Sequence, residues 1–162
     1  MRLLALILPL ALSACIAVVP VYVPIGPQPP DNPVPLLSGP GAVDSFGRRL
    51  NTERARAGTG PVVRNPMLEA AAMAHARDMA GRGYFAHRSP EGRGVGDRAR
   101  AQGYVWCQIA ENLAQGQTGE AQVLADWMAS TGHRRNNLRS NVDEYGLARV
   151  GETWVLVLGR RC

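Results

Sequence analysis

Eight prolines between residues 16 and 41 decide where this chain can fold: Pro20, Pro24, Pro27, Pro29, Pro30, Pro33, Pro35 and Pro40. Each removes a backbone donor and fixes its own φ, so neither a helix nor a sheet ladder propagates through the stretch. No helical or alternating apolar pattern survives there. Regular structure is left to the residues that follow. The chain therefore divides into a leader over 1–14, a Cys-headed, Pro-rich, semi-rigid linker over 15–41, and one globular domain over 42–162.

The leader has the plan of an export signal. Arg2 supplies a positive start. Leu3 to Leu12 is an apolar run of about ten residues, too short to span a bilayer. The run ends in Leu12-Ser13-Ala14-Cys15, which resembles the lipobox of bacterial lipoproteins. That resemblance implies cleavage before Cys15 and acylation of its thiol, and two or more acyl chains make a stable anchor. Ile16, rather than Asp, follows the cysteine. By the same resemblance this points to the outer membrane or cell surface. The expectation is an exported lipoprotein, held to a membrane through Cys15, with its domain outside the cytoplasm.

Charge narrows the partners. All 18 basic residues are Arg, and the formal net charge is +5. Such a balance suits an anionic envelope. The arginines are scattered and no aromatic residues interleave with them, so no nucleic-acid partner is expected.

Within the domain, Val43, Phe46, Leu50, Arg54 and Ala57 recur at helical spacing, and Gly58 and Gly60 end that run. Asn65-Pro66 opens a second helix that reaches Gly81 or Arg82, with Leu68, Ala71, Ala72, His75 and Met79 as its apolar stripe. Residues 86–103 read as loop with a short helix near Val95 to Gln102. A third clear helix runs from Gly119 to Ser130 with Thr118 as N-cap, and a short one follows at Arg134 to Arg139. Tyr145 to Val150, the turn Gly151-Glu152 and Thr153 to Leu158 read as a hairpin. Its second strand is apolar on both faces, which predicts cover on both sides. The fold class is α/β, with helices layered on a small antiparallel sheet. No internal repeat is visible.

There are three cysteines. With Cys15 acylated, Cys107 and Cys162 remain, and an exported domain lets them bond. Two buried free thiols are the alternative. No short Cys–Cys spacing suggests a metal site.

The residues with chemistry to offer are His87 in YFAHRSPEG, Glu111 in IAENLAQG and His133 in STGHRRNNL. Two imidazoles and a carboxylate suit a divalent cation such as Zn2+ if they converge. Their separation along the chain does not decide whether they do. No GxSxG elbow is present, so Ser89 and Ser130 support no Ser-His-acid triad.

Five segments in order resemble the CAP superfamily (cysteine-rich secretory proteins, antigen 5, pathogenesis-related 1), in its bacterial branch of SCP-like extracellular proteins. They are LNTERARAG from Leu50, AHARDMAGRGYFAHRSPEG from Ala74, AENLAQG from Ala110, WMASTGHRRNNL from Trp127, and YGLARV with TWVLVLG near the end. Together they span most of 42–162, from Leu50 to Gly159. The resemblance implies an α-β-α sandwich. It also implies a central cleft in which two His and two acidic residues can hold Zn2+ or another divalent ion. By motif position, His87, Glu111 and His133 match three of the four. The fourth acid would fall near Ser130, where this chain has none, and Asp126 stands one residue before Trp127. Ala110 replaces the Gly that usually precedes Glu-Asn.

The remaining polar residues have structural readings. His75 reads as a core or cleft-wall residue whose ring bonds Asp78. Asn112 reads as a backbone tie, and Arg134 and Asn136 as loop caps or carboxylate partners. Trp106, Trp127 and Trp154 read as core. Three functions follow. The leading one is a displayed CAP domain that binds a lipid, peptide or other envelope ligand in a cleft of His87, Glu111, His133 and Ser130. The second is a metal-dependent hydrolase of peptides or envelope polymers. The third is an interaction module with a vestigial cleft. The sequence leaves open whether the chain is an enzyme.

Overall fold

A computed structural model describes residues 44–162. The leader, Cys15 and the Pro-rich linker lie outside the described residues. The element order is α1 (Ser45–Arg56), β1 (Val63–Arg64), α2 (Pro66–Arg82), α3 (Val95–Ala101), β2 (Trp106–Gln115), α4 (Glu120–Ala129), α5 (Thr131–Asn137), β3 (Glu144–Val150) and β4 (Thr153–Arg161). The sheet order is β1-β3-β4-β2. Three strands are antiparallel, as expected, but the two-residue β1 joins β3 in parallel. The sheet is thus mixed at one edge.

The layers follow from the alternation of β4. Successive side chains on a strand point to opposite faces. Trp154, Leu156 and Leu158 join Phe46, Leu50, Val123, Leu124 and Trp127 in one core, under α1 and α4. Val155 and Val157 join Leu68, Ala72, Ala76, Met79 and Ala99 in a second core, under α2 and α3. Burial on both faces is why TWVLVL shows no polar alternation. The result is an α-β-α sandwich.

The longest helix begins where Asn65 caps it, its side chain accepting from the backbone N–H of Met67 and Leu68. It ends at Gly83, whose φ of 68° is the left-handed cap that glycine tolerates. Small residues let α2 approach the sheet closely. At Gly146 of β3 a Cβ would lie 2.1 Å from the backbone nitrogen of Glu69, so only glycine fits there.

Two expectations are corrected, and one strand is added. Gly119, not Thr118, occupies the N-cap of α4; Thr118 instead receives the Gln122 side chain as acceptor for its N–H and hydroxyl. The short helix starts at Thr131 rather than Arg134, which puts His133 inside it. Strand β2 was not visible as a strand at all, because Glu111 and Asn112 interrupt its apolar pattern.

Cys107 and Cys162 are joined by a disulfide across 55 residues, with Cα atoms 4.8 Å apart. The bond ties the last residue to the start of β2. Replacing both cysteines with Ser should lower stability by about 2–4 kcal/mol, the usual effect of releasing a loop of this length. Urea unfolding of the wild type with and without reductant checks it, and reduction should leave the double variant unchanged.

Candidate functional site

Strand β2 is the sheet edge, and the site is built around it. Alternation sends Glu111 to the face covered by α2 and α3, and its neighbour Asn112 to the opposite face. Each finds polar partners there, as buried polar groups must. The Glu111 side chain is only 2 % exposed. Its Oε2 accepts from Arg98 Nη2 at 2.7 Å and its Oε1 from His87 Nδ1 at 2.9 Å. His75 Nε2 stands 3.9 Å from the same Oε1.

His87 is held from three sides. Glu111 fixes its ring. Arg98 Nη2 donates to its carbonyl at 3.0 Å, and His75 Nε2–H donates to the preceding carbonyl, of Ala86, at 2.9 Å. The ring is nonetheless 61 % exposed. It is therefore an oriented imidazole whose Nε2 carries no bond to Glu111. His75 is a buried wall residue, as expected, but its partner is Ala86 rather than Asp78. Asp78 instead accepts from Tyr84 and Arg82.

Across the strand edge, an asparagine network brings up α5 with His133. Asn112 Nδ2 donates to the His133 carbonyl at 3.0 Å and to Asn137 Oδ1 at 2.8 Å. Asn136 Nδ2 donates to Asn112 Oδ1 at 2.8 Å and to the Glu111 carbonyl at 3.2 Å. The Asn136 bond satisfies one backbone carbonyl of the edge strand, that of Glu111. Asn112 is thus the backbone tie expected of it. Ser130 stands at the junction of α4 and α5, and its side chain makes no capping bond.

Sequence reasoning missed Arg98. Its signal was available: Arg98 shares a helical face with Val95 and Ala99, where an apolar residue belongs, and a buried acid in a neighbouring motif needs a cation. Of the tryptophans, Trp127 and Trp154 are core, while Trp106 is half-buried with Arg100 stacked 4.6 Å from its ring.

The electrostatics separate the three imidazoles. The hydrogen bond to Glu111 raises the His87 pKa above its ordinary value. Burial lowers that of His75, and burial with the nearby His87 charge lowers that of His133. An NMR titration should find His87 protonating first as pH falls, with His75 and His133 after it. In Glu111→Gln, His87 should move down toward the others. The depressed His75 contributes stability that is present above the unfolded imidazole pKa of about 6.5 and is lost as pH falls below it.

A divalent ion is a poor fit. Among the described residues no group of three or more His, Cys, Asp or Glu is arranged to hold one. Both Glu111 oxygens are engaged, one by a guanidinium. Asp126 does not replace the missing fourth ligand, since it accepts from Gln117 Nε2 at 2.9 Å instead.

Comparison with known proteins returns to the motifs. The sequence model of the cysteine-rich secretory protein family, CAP, matches residues 48–156. The chain is 32 % identical over 123 residues to the Bacillus subtilis protein YkwD, covering 72 % of this chain and 48 % of that protein. It thus spans about half the length of this curated relative. An SCP-domain extracellular protein of Bacillus anthracis superposes with a TM-score of 0.69 at 24 % identity, over 72 % of this chain and 39 % of the other. An outer surface protein of Borrelia burgdorferi gives 0.67 at 16 % identity, over 76 % and 98 %. At these identities the two structures speak to the fold alone.

Proposed function

Since the chain belongs to the cysteine-rich secretory protein (CAP) family, we propose that it is an envelope-displayed CAP domain lipoprotein that binds a ligand or partner in the cleft around His87, Glu111, His133 and Ser130. One observation carries the reading. His87 is exposed, yet it is fixed by a buried carboxylate whose charge Arg98 already balances. A solvent-facing group held in one orientation binds at a lower entropic cost than a free one. The lipobox-like segment at Cys15 and the Pro-rich linker supply the anchor and reach for display. No helix among the described residues is long and apolar enough to cross a membrane.

The other readings draw less support. Metal-dependent hydrolysis needs a free Glu111 oxygen, whereas His87 engages Oε1 and Arg98 engages Oε2. A vestigial cleft leaves the three-sided support of His87 without a purpose.

The test is capture from envelope extract with immobilised wild type and a His87→Ala/His133→Ala variant, read by mass spectrometry of lipids, peptides and glycans. A species bound by the wild type should lose at least about tenfold in affinity in the variant, equivalent to 1.4 kcal/mol. Equal retention of every species by both proteins would overturn the reading.

A further inference from the structure

Seven arginines among the described residues lie within ion-pair distance of a carboxylate. Helix α5 and the residues just after it depart from that pattern. Arg134, Arg135 and Arg139 have no side-chain partner among the described residues. No acid is at hand to supply one, because the chain from Trp127 to Val142 contains neither Asp nor Glu.

The fold turns this charge outward. Asn136 and Asn137 hold α5 to β2, through Asn112 and the Glu111 carbonyl. Arg134 and Arg135 are exposed, and Arg139 is half-buried. Leu138 stands among them, half-buried and in neither core. Unpaired cations on one short segment repel each other, and an anionic surface relieves that repulsion. A cationic face that also carries an apolar residue matches the boundary of a bilayer, where phosphates lie above acyl chains.

From this face we infer that α5 docks on an anionic phospholipid bilayer, with Arg134, Arg135 and Arg139 against the phosphates and Leu138 toward the acyl boundary. Two observations favour a bilayer over a soluble polyanion. A polyanion has no use for Leu138, and the lipobox-like segment at Cys15 would hold the domain beside a membrane. The contact uses neither His87 nor Glu111, so it stands whether or not the cleft binds a ligand.

The experiment is vesicle co-sedimentation of residues 15–162 carrying Cys15→Ser, a chain that keeps every described residue and has no acyl anchor. At low salt it should bind vesicles with about one-third phosphatidylglycerol at least about tenfold more tightly than pure phosphatidylcholine. Adding Arg134→Gln/Arg135→Gln should lower that affinity by about tenfold or more. Arg49→Gln/Arg77→Gln removes the same charge from exposed positions on α1 and α2, and should lower it by less than about threefold, since salt screens distant charges. His87→Ala/His133→Ala should bind the vesicles as the parent does. Equal binding to both vesicle types, or equal losses in the two arginine pairs, would overturn the docking face. Loss of binding in the histidine variant would place the contact in the cleft instead. Soluble polyphosphate, held through Arg134 and Arg135 more tightly than the vesicles are, would overturn the bilayer as partner and assign the face to a polymer.

Discussion

Replacing Arg54 with Met should lower the unfolding free energy by about 5 kcal/mol, a large share of what a domain of this size commands. Arg54 is fully buried in the last turn of α1. Its three partners are carbonyls from three separate segments: Gly60 at 2.7 Å, Asn137 at 2.7 Å and Val142 at 3.2 Å. Burial pulls its pKa below the usual guanidinium value. Met fills much of the same volume and removes every donor, so the loss isolates hydrogen bonding from packing. Each orphaned acceptor costs about 1–3 kcal/mol. The variant should show a lower urea midpoint at an unchanged slope. Arg54→Lys, with one compact ammonium for three acceptors, should fall between. A loss below about 1 kcal/mol would mean that water replaces the guanidinium, and that Arg54 does not join these segments.

Arg54 also shows what the sequence conceals. It sits at helical spacing with Phe46 and Leu50, so periodicity marks its position as inward-facing without saying what it meets. The elements that could be read carry their causes locally. Asn65-Pro66 caps α2, Gly83 ends it, and β4 is apolar on both faces because helices cover both. Strand β2 has no such local cause. Glu111 and Asn112 break its pattern, and the groups that make their burial tolerable come from α3 and α5, 13 and 25 residues away along the chain. The site divides in the same way. His87 and Glu111 were found by residue type and do meet, and the asparagine network ties α5, which carries His133, to the same edge. Helical spacing marks Arg98 as inward-facing without naming Glu111 as its partner, and the roles of Asn136 and Asn137 likewise depend on which faces the fold brings together.

Arg98 is where this concealed part governs the chemistry, and Arg98→Ala should be the second severe substitution. It leaves Glu111 charged, 2 % exposed and without its guanidinium, and it removes the donor from the carbonyls of His87 and Arg93. Breaking a buried pair by removing one partner costs about 3–5 kcal/mol. Adding Glu111→Gln should return part of that loss, because the stranded charge goes with it, and the double-mutant cycle measures the coupling. Equal losses in the single and double variants would mean that the two side chains do not interact. The same substitution tests why the cleft is a poor cation site. The Arg98 charge opposes protonation of His87, so its removal should let His87 keep its proton to higher pH. It also releases Glu111 Oε2 beside the imidazole. Calorimetry should detect zinc binding in Arg98→Ala that exceeds that of the wild type and disappears when His87→Ala is added. Tight zinc binding by the wild type, lost in His87→Ala/His133→Ala, would instead mean that the guanidinium yields to the ion, and that the cleft takes a metal despite Arg98.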